Sequence, residues 1–293
     1  MFELTQLTES CYVIESPARI GLVKLDGDEV CLIDSGNDKD AGRKLRQILD
    51  RNGWKLRAIY NTHANADHIG GNRYLQGQTH CKIYAPGIDC AITRSPILEP
   101  AFLYGGYPCR DLRHKFLLAQ ESDAEPLTPA VLPAGLEALP LPGHFFDMVG
   151  FRTADDVVFL ADCLSSLETL EKYQVSFIYD VAAYCKTLER VKTMQARLFV
   201  PAHAAVTDSI ADLAQANLDK VQEIADKLLA FCEQPLCFDQ ILQKLFRAYA
   251  LEMSFEQYVL VGSTVRSYLA WLRDSGRLGV RFGDGMLLWE RLA

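Results

Sequence analysis

A chain of 293 residues, 49% hydrophobic and 23% charged, has the composition of a globular protein whose core needs no disulfide staples. Its formal charge of −8 argues against a protein that grips nucleic acid through a broad basic face. Nine cysteines, scattered and without a CxxC pair, do not make a secreted disulfide framework and read as buried thiols.

The opening "MFELTQLTES" has neither a basic nor an apolar stretch, and no apolar run reaches the ~20 residues of a membrane helix. A cytoplasmic protein is expected. "CYVIES" (11–16), "IGLVKL" (20–25) and "EVCLIDSG" (29–36) read as strands, the last ending in the turn Asp34-Ser35-Gly36. Residues 38–53 place Leu45, Ile48 and Leu49 at helical spacing and stop at Gly53. "KLRAIYNTH" (55–63) is a strand that delivers "NTHANADHIGGN" at its C-terminal end, where layered α/β folds gather ligands. "CKIYAP" (81–86) continues the sheet. Residues 87–130, rich in proline and carrying Phe102, Tyr104, Tyr107 and Phe116, read as a partly helical insertion. It is either a lid over a site or a packed surface excursion.

Strands follow at 135–144, 148–154 and 156–164, then a mostly helical stretch to 195. The strand "ARLFVPAH" (196–203) ends on a histidine, and 209–235 is a long amphipathic connecting helix. Beyond Pro235 the pattern predicts helices at 237–250, 254–261 and 263–276, with Gly262 separating the last two. A hairpin around "GDG" follows in 277–292. Three helices and a hairpin are a winged-helix pattern. Seven basic and six acidic residues leave this module at +1, poor for a DNA reader even with Arg266 and Arg273 exposed on its third helix.

Only six histidines occur, and His63, His68, His144 and His203 all lie just after predicted strands, as do Asp34 and Asp162. Imidazole and carboxylate together are a ligand set for zinc, iron or manganese.

"THANADHIGGN", "LPGHFFDMVGF", "FLADCL" and "VPAHA" resemble, in order and rough spacing over residues 10–210, the successive motifs of the metallo-β-lactamase superfamily. The resemblance implies an α/β fold, an αββα sandwich with the site along one edge of its two sheets. It implies that His63 and His144 bind one metal, that Asp67, His68 and His203 bind a second, and that Asp162 bridges them. Asp34 would support a ligand from behind, and Asp67 would double as the catalytic group that orients water or accepts a proton. The family's second motif histidine falls on Asn65, a weaker oxygen ligand or water contact. That leaves three readings open: a binuclear site, a mononuclear one, or an empty one. The cofactor expected is one or two divalent ions, zinc first, with iron or manganese as alternatives. Cys163, beside Asp162 on a strand, points the other way and reads as core.

The tail resembles the winged-helix module of the β-lactamase-like protein 2 subgroup, carried by "YLAWLRDSGRLGVRFGDGMLLWERL". The expected organisation is a catalytic domain over 1–208 with its insertion at about 87–130, a connecting helix at 209–235, and a winged-helix-like domain over 236–293. The expected function is hydrolysis of a small ester or thioester by a metal-bound hydroxide, as in the glyoxalase II-like branch. The alternatives are a single-strand RNA endonuclease, a non-catalytic metal-binding or regulatory protein, and oxygen chemistry at one iron held by His63, His144 and Asp162. The expected partners are a small-molecule substrate and a second copy in a homodimer. Nucleic acid is disfavoured by charge and no membrane is expected.

Overall fold

The computed structural model describes residues 2–292. Strands β1 (Glu3–Gln6), β2 (Cys11–Glu15), β3 (Ile20–Lys24) and β4 (Glu29–Ile33) form an antiparallel meander. After helix α1 (Lys39–Asn52), β5 (Lys55–Tyr60) pairs with β4 in parallel. Short helices α2 (Ala66–Ile69) and α3 (Asn72–Thr79) lead to β6 (Lys82–Ala85). Then α4 (Asp89–Arg94) and α5 (Leu98–Tyr104) lead to β7 (Ala124–Pro126), completing a seven-stranded sheet in chain order. A second sheet holds β8 (Leu136–Pro140), β9 (Val149–Thr153) and β10 (Val157–Ala161) in antiparallel order. Helices α6 (Leu167–Tyr173) and α7 (Val181–Lys192) precede β11 (Leu198–Pro201), which lies parallel to β10. The chain closes with α8 (Ala211–Phe231), α9 (Phe238–Ala248), α10 (Phe255–Asp274) and the hairpin of β12 (Leu278–Gly283) and β13 (Met286–Arg291).

Side-chain parity along each strand sorts residues into layers. On β4, Val30 and Leu32 face α1, packing with Leu45 and Leu49, while Cys31 and Ile33 face the second sheet. On β10, Val157 and Phe159 meet that inter-sheet core, while Val158 and Leu160 face the helices on the far side. The result is helix, sheet, sheet, helix. Strand β10 is buried along its whole length, which is why it reads as an unbroken apolar run. Helix α1 begins where Asp38 accepts from the Ala41 backbone N–H at 2.9 Å and ends at Gly53 in the left-handed conformation, as its sequence predicts.

Several expectations need correction. Gly262 does not break a helix: α10 runs from Phe255 through Gly262 to Asp274. A Cβ there would meet Phe238 and Leu242 at 3.6 Å, an ordinary contact, so the helix passes through a glycine that packing does not require. The strand predicted to reach His63 stops at Tyr60, and two short strands, β1 and β7, carried too little apolar pattern to be seen. The insertion is a packed one: Leu103, Leu112 and Leu117 form a small core with Val259 of α10. The predicted hairpin is present, its turn built on Asp284 and Gly285, both with positive φ. No helix among the described residues is long and apolar enough to cross a membrane.

Candidate metal centre

Every residue of the cluster follows a strand or rides on the short helix behind β5. Asp34 follows β4, Thr62 and His63 follow β5, and Asp67 and His68 lie on α2. His144 follows β8, Asp162 follows β10, and His203 follows β11. The Gly70-Gly71 pair lets α2 press against the Ser35–Asp38 backbone, where any Cβ would collide. Gly143, at φ +126°, does the same for the His144 loop against α7.

Two groups of ligand-type atoms form, each drawn together within 4.8 Å: Asp67, His68, Asp162 and His203, and separately His63, His144 and Asp162. Asp162 belongs to both. Its Oδ1 is 3.0 Å from His68 Nε2, and its Oδ2 is 3.2 Å from His203 Nε2 and 3.7 Å from His144 Nε2.

All four imidazoles are oriented the same way. His68 Nδ1 is 2.8 Å from Asp34 Oδ2. His144 Nδ1 is 3.0 Å from the Phe177 carbonyl, and His203 Nδ1 is 3.0 Å from that of Pro17. His63 Nδ1 is 2.9 Å from Thr62 Oγ1, whose proton goes to Asp34 Oδ2 at 2.7 Å. Each Nδ1 therefore faces an acceptor and carries a proton. In the neutral ring each Nε2 is then a bare lone pair aimed inward. Asp34 supports two rings at once, one directly and one through Thr62, and also accepts from the Thr62 N–H at 2.8 Å.

Lone pairs facing carboxylate oxygens repel unless something positive lies between them. His63 Nε2, His68 Nε2 and Asp162 Oδ1 are buried without a hydrogen-bond partner. The 3.0 Å approach of His68 to Asp162 thus has the distance of an ion pair but not the direction of a hydrogen bond. Buried polar atoms are normally paired. A divalent cation satisfies all of these atoms together, so the donor set fits one.

Without a cation the carboxylates draw protons onto the rings. Burial alone would lower the His68 pKa, but Asp162, Asp67 and Asp34 raise it well above the ordinary value. His63, buried and beside His68, is lowered well below it. His203 is raised from 6.5 to about 10, first by the Asp162 charge, against burial. Its ion pair therefore stabilises the metal-free fold fully below pH 6.5 and fades as pH climbs towards 10. Solvent screens part of this effect, since the ring is 30% exposed. Metal uptake runs the opposite way: a cation needs the Nε2 lone pair, so binding near neutral pH expels protons and affinity rises with pH. Calorimetric titrations at pH 7 in buffers of different ionisation enthalpy will differ accordingly; enthalpies independent of buffer would refute this.

Asp89, fully buried on α4, ties the two ligand loops together. It accepts the N–H of Ala64 and that of Asp147, each at 2.9 Å. Burial lifts its carboxyl to about 7 against those two bonds. Asp89→Ala orphans both donors and is expected to cost about 3 kcal/mol of stability, read from urea unfolding. A loss below about 1 kcal/mol would show that the loops hold without it.

The cluster lies on one wall of a cleft of about 820 Å³. Asp67, His144 and His203 border it, with Val175, Phe177, Leu260 and Val261 as apolar lining and Arg19 and Lys172 as cations. Leu260 and Val261 come from α10, so the C-terminal helices form part of the rim. Cys163 is fully buried in the core behind Asp162. Glu99, which no sequence pattern marked, is buried against Asn65. The Pro17 and Phe177 carbonyls were equally silent, because support through backbone oxygens leaves no residue-type signal.

Residues 5–203 match the family model described as "Metallo-beta-lactamase superfamily". A hydroxyacylglutathione hydrolase of Rhodopseudomonas palustris (strain HaA2) is 30% identical over 159 residues, 53% of this chain and 48% of that one. The chain spans about half the length of the curated relatives it matches. Among solved structures, a beta-lactamase domain protein from Burkholderia ambifaria superposes with a TM-score of 0.75 at 17% identity, covering 99% of this chain and 94% of that one. A metallo-beta-lactamase family protein from Thermus thermophilus gives 0.72 at 17%, covering 100% and 98%. These two likenesses speak to the fold alone.

Proposed function

The chain belongs to the metallo-beta-lactamase superfamily, and from that footing we propose a metal-dependent hydrolase of a small ester or thioester. The observation that carries the reading is four imidazoles, each tied at Nδ1 and turning Nε2 onto shared carboxylates beside an open cleft. His63, His144 and Asp162 would hold one ion; Asp67, His68, Asp162 and His203 would hold another. Bound there, divalent ions would supply Lewis acidity for a carbonyl oxygen and lower the pKa of water.

The chain's own residues do the rest. Asp34 and Thr62 fix two rings, so the lone pairs need no reorganisation when substrate enters. To Asp67, whose Oδ2 is 3.4 Å from His203 Nε2 at the cleft edge, we assign the orienting of a water or the taking of its proton. Val175, Phe177, Leu260 and Val261 suit an acyl group, and Lys172 suits an anionic leaving group, Arg19 being paired with Glu15 at 3.0 Å. The named chemistry of the curated relatives, hydroxyacylglutathione hydrolysis, is of this type.

A single-strand RNA endonuclease would need a longer run of cations with stacking aromatics. The cleft sets Arg19 and Lys172 against Asp67 and Glu168. We assign residues 1–208 to catalysis, 209–235 to a connecting helix and 236–293 to a C-terminal module that borders the cleft, with two helices and a hairpin where the winged-helix pattern predicted three helices and a hairpin.

The test is an acyl-thioester panel, including hydroxyacylglutathiones, run beside single-stranded RNA. The expected result is thioester turnover abolished by chelator and restored by Zn²⁺, Mn²⁺ or Fe²⁺. RNA cleavage without thioester turnover would replace this reading, and turnover indifferent to chelator would end it.

A further inference from the structure

Helix α5 carries Glu99 to the underside of the metal motif, where the residue is only 2% exposed. Its Oε1 accepts from Asn65 Nδ2 at 2.7 Å. An amide has one donor end and one acceptor end. With Nδ2 given to Glu99, Asn65 Oδ1 faces the opposite way, 3.2 Å from His144 Nε2. That nitrogen is a lone pair, because His144 Nδ1 already donates to Phe177. Two acceptors so placed do not bond to each other; they share a direction towards one cation. The remaining oxygen of Glu99, Oε2, is buried with no partner. Burying a carboxyl this way costs solvation that the bond to Asn65 offsets only in part.

We infer that Glu99 is a positioning residue that turns the Asn65 amide oxygen onto the His63–His144–Asp162 position, the Asn65–Glu99 pair serving where the family motif has an imidazole. The inference rests on the metal-site reading above. A carboxyl oxygen accepting the amide N–H draws electron density towards Oδ1 and makes it a better ligand. It also replaces a borderline nitrogen with a hard oxygen, which shifts preference from Zn²⁺ towards Mn²⁺ or Fe²⁺. Turned over, the amide would spend the His144 lone pair on Nδ2 and leave Oδ1 against Glu99. Glu99 selects between these two orientations in its ionised form, which can only accept and which a cation beside it favours.

The experiment is a metal titration of the full chain stripped by chelator, with Zn²⁺ alone and Mn²⁺ alone as probes. Wild type, Glu99→Gln, Asn65→Ala and the double variant are compared. Glutamine can donate to Oδ1 as readily as accept from Nδ2, so it removes the orientation while keeping the shape. Glu99→Gln is expected to weaken the weaker binding step about tenfold, more for Mn²⁺ than for Zn²⁺, and to add nothing in the Asn65→Ala background. Thermal unfolding of the stripped proteins checks that each variant folds. If Glu99→Gln does not, Glu99→Met fills the same volume without a polar atom and is read the same way. Normal uptake indifferent to Glu99, or losses that add in the double variant, overturns the inference alone. A wild-type chain that takes up neither ion overturns the metal-site reading and this inference with it.

Discussion

Asp162→Ala will leave the purified chain with metal at background and lower its hydrolytic rate by about a thousandfold. The reason is its shared position. Asp162 is the one carboxylate common to both ligand groups, and it faces the Nε2 atoms of His68, His144 and His203. Removing it leaves inward lone pairs with one fewer negative neighbour to hold a cation, on both sides at once. Its side chain is only 10% exposed, so water does not readily take its place. Elemental mass spectrometry on protein purified without chelator reads the first effect, and the thioester assay the second. Asp162→Asn keeps the shape and loses the charge, so it separates packing from electrostatics. A variant Asp162→Ala with normal metal content would show that the cation lies elsewhere.

Cutting the chain after Pro235 will yield no folded enzyme. Helices α9 and α10 bury Ile241, Leu242, Leu245, Val265, Leu269 and Leu272 completely, in one continuous cluster with Leu188 and Val191 of α7 and Leu228 of α8. Removing the two helices turns the apolar faces of α7 and α8 that they cover to water, at about 2 kcal/mol for each side chain exposed, and several together exceed the margin of an ordinary domain. The truncated chain is expected to be insoluble, or to show a broad, uncooperative unfolding transition by circular dichroism. A soluble 1–235 fragment with a sharp transition and thioester turnover would mean that the C-terminal helices are a detachable accessory.

The winged-helix pattern predicted from the tail shows how far composition can be trusted there. The hairpin was legible because Asp284-Gly285 supplies the two positive φ values that a tight turn needs. The continuity of α10 through Gly262 was not, because a glycine at the end of a helix looks the same in sequence as one inside it. Tertiary packing decides it: Val261, Val265 and Leu269 around Gly262 are buried in one cluster with Leu242 of α9, which keeps the helix continuous. Strand β7 contains Pro126 and spans three residues, and β1 is polar and mostly exposed. Both are held by backbone pairing to a stronger neighbour, which leaves little trace in side-chain pattern.

The sequence by itself determined the site's raw materials. Four histidines and the carboxylates Asp34, Asp67 and Asp162 follow strands, or ride on the short helix after β5, at spacings that a layered α/β sheet brings to one edge. It also marked the departure at Asn65. Only the tertiary structure decided what that departure amounts to. Which way the Asn65 amide turns depends on Glu99, distant in sequence and reached through helix α5 of an unpatterned insertion. Local periodicity records what a residue does within its own helix or strand. A hydrogen bond between segments 34 positions apart belongs to neither, so it had to be seen in three dimensions.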